Sequence, residues 1–340
     1  MSAEPRARPL VYLALAPRLV AELELERELA RLAPVADLER WERPGAPDAG
    51  AVEDALRRAT VLVTGWGTPH LAALREWTPE TFAVRLVAHS AGTVKHLVPV
   101  EALERGLLVA HANEALAAAV AEFTLGAIIL GRRLAFQAAA RLKEGRPELP
   151  IAAQHETAGS TVGVIGASAI GRRVLRLLAP LGVKLLLYDP YCPPETAAAL
   201  GAELVPLDEL MRRSDVVTLH APVTPETLGM LGAEQFRAMK DGALFINTAR
   251  GRLVDHAALL AELQSGRIWA LLDVTDPTEP LPPDSPFFAL ENCVVLPHMA
   301  AVTAETRRRQ AQQTIDEVLR FFAGEPLQHQ VTRARWDTMA

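Results

Sequence analysis

Apolar residues recur along this chain in short continuous runs that alternate with longer runs at helical spacing. The short runs are typical of strands buried on both faces, and the longer runs are typical of amphipathic helices. In the first third of the chain, the predicted strands span 10–16, 60–64, 84–89 and 107–112, and the predicted helices span 18–32, 69–76 and 99–105. This alternation indicates a parallel sheet with helices on its faces.

A long apolar helix is predicted from about 114 to 143, and a second series of strands and helices follows it. Its predicted strands span 161–165, 183–188, 215–219, 243–246, 268–274 and 294–296, and its predicted helices span 169–181, 207–213, 233–239, 255–265 and 303–322. The sequence therefore predicts an α/β fold with two doubly wound parallel-sheet domains, for which 340 residues are sufficient.

Composition excludes several classes of function. A net charge of −6 leaves no electrostatic footprint for nucleic acid, and the short basic run 307–309 is interpreted as a solvated helix face. Cys192 and Cys293 lack partners at metal-ligand spacing, so we expect reduced thiols and no metal site. The first nine residues lack the apolar core of a signal peptide, and the apolar run 115–131 contains Glu122 and is short for a membrane span. We expect a cytoplasmic protein without a membrane partner, whose apolar helix is buried or contacts another subunit.

The strongest local motif is a strand that runs into a glycine turn and a helix, with the sequence TVGVIGASAIGRRV at 161–174. Gly166 allows the turn, Gly171 lets the helix pack close to the strand, and the N-terminal turn around Ala169 and Ile170 would hold a pyrophosphate. Ser168 stands where this fingerprint usually has its middle glycine, and its hydroxyl could donate to a phosphate. The alternative is a tight turn without a ligand.

Asp189 ends the next predicted strand at about the spacing of 20 residues expected for a ribose-binding carboxylate. Such a carboxylate accepts hydrogen bonds from the ribose hydroxyls and repels a 2′-phosphate. No arginine follows it directly, so the sequence predicts NAD rather than NADP. The alternative is an aspartate that only ends a strand.

Three further side chains, Arg250, Glu279 and His298, each follow a predicted strand of the second domain. The carboxyl ends of parallel strands share one edge, so these groups are expected near the glycine turn. Arginine suits a substrate carboxylate, histidine suits proton transfer near neutral pH, and a glutamate orients the imidazole. Singly, Arg250 could pair with Asp255, Glu279 could face water, and His298 could lie in a core. Jointly, the three groups favour reduction of a 2-keto acid.

These motifs resemble the D-2-hydroxyacid dehydrogenase family, which includes glyoxylate/hydroxypyruvate reductases and phosphoglycerate dehydrogenases. The matching segments are 163–171, Asp189, 220–227, 247–251, 272–274, 279–282 and 297–300. The resemblance implies a Rossmann NAD-binding domain, 114–299, inserted into a flavodoxin-like substrate domain formed by 1–113 and 300–325. Residues 326–340 are treated as a tail. A homodimer built through the nucleotide domains is also implied.

The resemblance also assigns roles to residues. Arg250 would bind the substrate, His298 would be the acid/base, and Glu279 would support it. The implied cofactor-binding residues are Gly166, Ser168, Ala169, Ile170, Gly171, Asp189, His220, Ala221, Pro222, Thr227, Thr248, Ala249 and Asp273. The expected substrate-binding residues are Trp66, Ala91, Gly92 and Thr93, of which Trp66 is placed by its position after a strand and could instead be a packing residue.

Two departures from the family pattern bear on the site. Thr278 lengthens the loop before Glu279 by one residue, so Asp276 is an alternative partner for the histidine. Lys95 stands where an acidic residue is frequent. The expected function is an NAD-dependent 2-keto acid reductase acting on a small acid. An NAD-sensing co-repressor on the same fold is a second hypothesis. Formate dehydrogenase-like activity is a third, disfavoured because those relatives support the histidine with glutamine.

Overall fold

The computed structural model describes residues 8–337 and Met339. Residues 1–7, where no signal-peptide core was expected, lie outside the described residues, as do positions 338 and 340 of the expected tail. The chain divides into two compact units. Unit 1 contains the chain up to Leu116 together with Thr303–Met339, and unit 2 contains Ala117–Val302.

Both units are built on parallel β-sheets. The strands are β1 (Leu10–Ala14), β2 (Asp37–Arg40), β3 (Val61–Thr64), β4 (Leu86–His89), β5 (Leu108–His111), β6 (Thr161–Ile165), β7 (Lys184–Tyr188), β8 (Ala202–Leu204), β9 (Val216–Leu219), β10 (Leu244–Asn247), β11 (Trp269–Leu272) and β12 (Cys293–Val295).

Helices connect these strands. They are α1 (Pro17–Glu22), α2 (Leu25–Leu29), α3 (Ala49–Arg58), α4 (Val100–Glu104), α5 (Asn113–Arg132), α6 (Ala135–Lys143), α7 (Ala169–Leu178), α8 (Pro194–Ala199), α9 (Leu207–Arg213), α10 (Ala233–Ala238), α11 (His256–Gln264), α12 (Ala304–Ala323) and α13 (Arg333–Trp336).

In unit 1 the strand order is β2-β1-β3-β4-β5, the flavodoxin-like order. Side chains of successive strand residues point to opposite faces, so Leu62 and Val63 of β3 belong to different apolar clusters. Ala311 and Ile315 of α12 pack in the cluster that contains Val63. The strand order changes direction between β1 and β3, and ligands of such sheets bind at the carboxyl ends of the strands at this switch point.

In unit 2 the strand order is β12-β11-β10-β9-β6-β7-β8, and every strand pair is parallel. The switch point lies between β6 and β9. Apolar clusters cover both faces of the sheet, one around Phe245 and Leu259 and the other around Val164 and Val174. The predicted fold class, two doubly wound parallel-sheet units, is confirmed.

Several local predictions differ from the structure. The helix predicted over 114–143 is broken into α5 and α6 at Leu134, whose φ of 51° is left-handed. The helix predicted over 18–32 is broken in the same way at Glu24, with φ 50°. Residues 69–76 contain only a 3₁₀ turn, Ala72–Glu76. Helical periodicity does not reveal a single left-handed residue, because the apolar face resumes after it.

The strands β2 and β8 were not predicted. Both lie at an edge of their sheet, and β2 is largely exposed, so it lacks the continuous apolar run that marks a buried strand. The segment treated as a tail is also ordered in its described part. The Val331 N–H donates to the Val109 carbonyl at 2.8 Å, and Arg333 forms an ion pair with Glu104.

The helix α5 is long and apolar enough to cross a membrane by length and composition alone. Half of its most apolar window is buried inside the structure, as in the core helix of a folded domain. This finding is weak evidence for a membrane span.

Candidate active site

The turn after β6 requires its glycines for steric reasons. Gly166 has a φ of +96°, and a Cβ there would lie 2.7–2.9 Å from backbone atoms of His220 and Ala221. A Cβ on Gly171 would lie 2.0 Å from the Gly166 carbonyl oxygen. These contacts bring the β6 turn, the first turn of α7 and the end of β9 together at the switch point of unit 2.

Ser168 is the N-cap of α7, and its hydroxyl accepts a hydrogen bond from the Gly171 N–H at 3.3 Å. The first amides of a helix have no acceptor within the helix, so the N–H groups of Ala169 and Ile170 remain available to an anion. The serine hydroxyl proton is also available, because a capping oxygen uses only a lone pair. Serine therefore replaces the usual glycine without closing the anion site.

The Asp189 carboxylate is tied to the glycine turn. One oxygen accepts from the Ala167 N–H at 2.7 Å, and the other accepts from the Tyr191 N–H at 2.8 Å. Each oxygen keeps a lone pair for a further donor such as a ribose hydroxyl. Asp189 is half-buried.

The residues predicted after β9 lie beside this turn. His220 is 3% exposed, its Nε2 lies 2.9 Å from the Thr218 hydroxyl, and burial lowers its pKa to about 3. Its Nδ1 is buried without a hydrogen-bond partner among the described residues. Thr227 donates to the Pro222 carbonyl at 2.7 Å and so closes the 222–227 loop. His220 is a neutral imidazole at physiological pH.

The loop after β10 presents Arg250. The Asn247 side chain bridges this loop by donating to the Arg250 carbonyl and accepting from the Ala249 N–H, both at 3.0 Å. Thr248 and Ala249 are buried, and the Thr248 hydroxyl lies 3.2 Å from that of Thr124. These bonds fix the backbone from which the Arg250 side chain extends.

The Arg250 guanidinium donates to the Ala249 carbonyl at 2.7 Å, and no carboxylate of the described residues lies within ion-pair distance of it. Burial lowers the pKa of Arg250, and the negative charge of Glu279 partly opposes that shift. Gly251 lets the loop after β10 pack closely against the backbone at Thr275. A Cβ at this position would lie 2.2 Å from the Thr275 carbonyl. Gly251 lies in the segment 247–251, and the sequence pattern did not predict its packing requirement.

Glu279 and His298 form a direct pair. A Glu279 carboxylate oxygen contacts Nδ1 of His298, and the other oxygen accepts from the Thr275 N–H at 3.2 Å. The longer loop therefore keeps Glu279 in reach, and Asp276 does not replace it. Because Nδ1 faces the carboxylate, Nε2 is the nitrogen left to exchange a proton with a ligand. The histidine side chain is 45% exposed.

Asp273 has an anchoring role that the sequence did not indicate. It is 1% exposed, and its two oxygens accept from the N–H groups of Met299 at 2.8 Å and Ala300 at 3.0 Å. His298 has a φ of +55°, a strained conformation for a histidine, and these bonds hold the following backbone. A carboxylate directly after a strand was visible in the sequence, but its partners were not.

The expected substrate-binding residues lie at the carboxyl edge of the unit 1 sheet. Trp66 follows β3 and is 42% exposed. Ala91 and Gly92, after β4, are buried, and Thr93 is half-buried. Nδ1 of His111 lies 2.9 Å from the Gly92 carbonyl oxygen. The Ala91 carbonyl accepts a hydrogen bond from the Ala112 N–H at 2.9 Å. Because β3 and β4 are paired in parallel, these loops are neighbours within unit 1.

A glycine turn at a sheet switch point, a carboxylate at the next strand end and a carboxylate–imidazole pair near an arginine are typical of dinucleotide-dependent oxidoreductases. Residues 125–300 match the family described as D-isomer specific 2-hydroxyacid dehydrogenase, NAD binding domain. The chain is 33% identical over 315 residues to a glyoxylate reductase of Korarchaeum cryptofilum, with 91% of this chain and 94% of that protein covered.

Two further comparisons agree. A D-3-phosphoglycerate dehydrogenase of Methanocaldococcus jannaschii is 34% identical over 80% of this chain, and the match spans 51% of that longer protein. The holo form of Rhodotorula graminis D-mandelate dehydrogenase superposes with a TM-score of 0.82 at 27% identity, covering 96% of this chain and 98% of that one. The chain belongs to the D-isomer specific 2-hydroxyacid dehydrogenase family and is an NAD-dependent oxidoreductase.

The residues present fit NAD. The turn is tight because Gly166 and Gly171 have no Cβ, for which there would be no room. The open amides of α7 supply donors for a pyrophosphate. Asp189 supplies acceptors for ribose hydroxyls at the adjacent strand end.

Proposed function

We propose that this protein interconverts a small 2-keto acid and its 2-hydroxy acid. Arg250 binds the substrate carboxylate and carbonyl, His298 transfers the proton, and Glu279 holds the imidazole. Unit 1 serves as the substrate domain. The observation that carries the proposal is the Glu279–His298 pair, which leaves Nε2 of the imidazole free, beside an arginine without a carboxylate partner. Relatives named glyoxylate reductase and phosphoglycerate dehydrogenase support this class of substrate.

Arg250 suits its role because its donors are largely unused. A guanidinium presents five N–H donors in one plane, and here a backbone carbonyl accepts from one of them. Burial disfavours the isolated cation, so an incoming carboxylate that pairs with it is bound strongly. The same fork polarises the neighbouring ketone of a 2-keto acid.

His298 suits proton transfer because the carboxylate on Nδ1 fixes the ring orientation and the tautomer. In the reducing direction, Nε2 of the protonated ring gives its proton to the carbonyl oxygen, and Glu279 stabilises the ring while it is charged. In the oxidising direction, the neutral ring takes the hydroxyl proton. NAD, when bound, supplies or accepts the hydride.

The test follows NADH absorbance with glyoxylate, hydroxypyruvate, pyruvate, phenylpyruvate and 2-ketoisocaproate. We expect turnover of at least one acid. His298→Ala should lower kcat by about 10²- to 10⁴-fold, because general acid catalysis is lost. Arg250→Ala should lower kcat/KM by a similar factor, because the substrate loses its cation. Trp66→Ala should change the relative rates across the panel if this residue lines the substrate.

Matched controls are available in unit 2. Arg252 and His155 are exposed, and Arg252→Ala and His155→Ala should keep wild-type rates. Binding of NADH without turnover of any acid would favour a nucleotide-sensing protein and would reject the enzymatic proposal. Equal activity of His298→Ala and wild type would reject the assigned acid/base.

We also propose a homodimer. Apolar side chains are exposed between the end of α5 and residue 151, namely Ile129 at 38%, Leu130 at 45%, Leu142 at 65% and Ile151 at 86%. Apolar side chains become buried when they lie in a subunit interface, and we infer that these four do so. Light scattering should give twice the chain mass of 36.8 kDa. A monomer that persists at millimolar concentration would contradict the assignment.

A further inference from the structure

Arg172 brings a positive charge against the glycine turn of unit 2, a contact that the sequence motif did not indicate. The residue directly follows Gly171 in α7, and its Nε–H donates to the Ala167 carbonyl at 2.7 Å. The side chain therefore folds back from the helix onto the turn between β6 and α7. Arg172 is half-buried, and this hydrogen bond ties its guanidinium to the turn.

The same residue of the turn also holds Asp189. The Ala167 N–H donates to an Asp189 oxygen at 2.7 Å, so a carboxylate and a guanidinium are bound to the two backbone polar groups of one residue. Burial raises the pKa of the nearby Cys192 thiol, the charge of Arg172 opposes that shift, and the charge of Asp189 adds to it. Arg172 therefore lies on the side of the turn where Asp189 is expected to accept from the adenosine ribose.

The guanidinium has donors that no described group uses. Among the described residues, the acceptor of the Arg172 side chain is the Ala167 carbonyl, and this bond uses Nε alone. No described carboxylate lies within ion-pair distance of the guanidinium. The N–H groups of both terminal nitrogens are therefore left for a ligand or for solvent. A planar fork of donors of this kind matches the oxygens of a phosphate.

Ser168 makes such a donor useful. Its hydroxyl oxygen accepts from the Gly171 N–H at 3.3 Å, so that amide is not offered to an anion. A glycine at position 168 would leave the amide without an acceptor inside the helix. The turn itself, 166–171, contains no charged side chain, and Arg172 is the first cation after it. The full positive charge nearest to the turn along the chain is therefore that of Arg172, beside the partial charge of the helix end.

We propose that Arg172 binds a phosphate group at the adenosine end of the dinucleotide and supplies the donor that Ser168 withholds. The expected partner is the phosphate on the 5′ side, within the pyrophosphate, because Asp189 on the same turn repels a 2′-phosphate. The inference concerns the cofactor alone and does not depend on the keto acid. Nucleotide binding without a substrate therefore tests it separately from the proposed function.

The test measures the dissociation constants of NADH, ADP, 2′-AMP and adenosine by titration calorimetry. Arg172→Met should weaken the binding of NADH and ADP by roughly 10- to 100-fold, as expected for a lost hydrogen bond between charged groups, and should change that of adenosine less than about threefold. Arg172→Lys keeps the charge without the planar fork and should recover part of the affinity. A loss for 2′-AMP with none for ADP would keep the phosphate-binding role and assign it to the 2′ position.

Arg176→Met is the matched control. Arg176 lies one turn further along α7, about 6 Å from position 172, and is exposed. Its replacement removes the same charge away from the glycine turn, so all four affinities should stay within about threefold of wild type. Thermal unfolding shows whether each variant folds, and Arg172→Gln serves where Arg172→Met is unstable. Equal losses for adenosine and ADP, equal losses in the Arg176 variant, or unchanged affinities for both ADP and 2′-AMP would overturn the role of Arg172.

Discussion

The two units have the same kind of switch point in a parallel sheet, but different groups line it. In unit 2 the loop after β6 offers a bare glycine turn and helix amides, so the backbone itself faces the ligand. In unit 1 the loop after β3 presents a tryptophan with an arginine stacked on it, so side chains rather than backbone lie at this position. The first arrangement suits a pyrophosphate, and the second presents an aromatic ring and a cation.

This difference shows that the fold supplies the location and the loops supply the chemistry. The difference also predicts which substitutions each loop tolerates. A backbone site fails when any side chain intrudes, because neighbouring backbone atoms cannot move aside. The loop after β3 in unit 1 is expected to tolerate small changes in shape, because its glycine Gly67 lies in open space apart from one contact.

The largest expected effect separates two glycines with positive φ. Gly166→Ala would place a Cβ 2.7–2.9 Å from the backbone of unit 2, whereas Gly67→Ala would make one ordinary contact of 3.5 Å. We expect Gly166→Ala to cost about 3 kcal/mol or more in stability and to abolish measurable NADH binding. Gly67→Ala should cost about 1–2 kcal/mol, the cost of left-handed backbone alone. Thermal unfolding and NADH fluorescence titration measure both effects, and equal losses would contradict the contrast.

The second effect concerns the carboxylate on the imidazole. Glu279→Gln keeps an acceptor for Nδ1 but removes the charge that stabilises the protonated ring, so kcat should fall by about 10- to 100-fold. Asp276→Asn removes a charge from the same loop without touching the imidazole and should leave kcat within about threefold. Steady-state kinetics with a saturating acid give both values. A larger loss for Asp276→Asn would identify it as the partner instead.

The smallest effect concerns the choice of cofactor. Asp189→Ala removes the carboxylate beside the glycine turn, so the preference for NADH over NADPH should fall by about tenfold, the value of one hydrogen bond to a charged group. The ratio of kcat/KM values for the two cofactors measures it. The assignment is wrong if wild type already uses both cofactors equally well.

Local pattern predicted the buried strands well, and β6 matches its predicted range, Thr161–Ile165. A strand buried on both faces must be continuously apolar, so it is visible without its partners. The edge strand β2 was missed because it is largely exposed, and its pairing with β1 rather than its composition makes it a strand. The break at Leu134 was missed because one left-handed residue leaves the apolar pattern intact.

The sequence by itself determined the types of groups at the strand ends, a glycine turn, an acidic residue, an arginine and a histidine, because their order along a parallel sheet places them at one edge. Only the tertiary structure decided which groups meet. It selected Glu279 rather than Asp276 for the imidazole, used Asp273 to anchor the backbone after His298, and stacked Arg307 on Trp66. These contacts join residues far apart in the chain through loops whose paths depend on packing, and local periodicity carries no information about them.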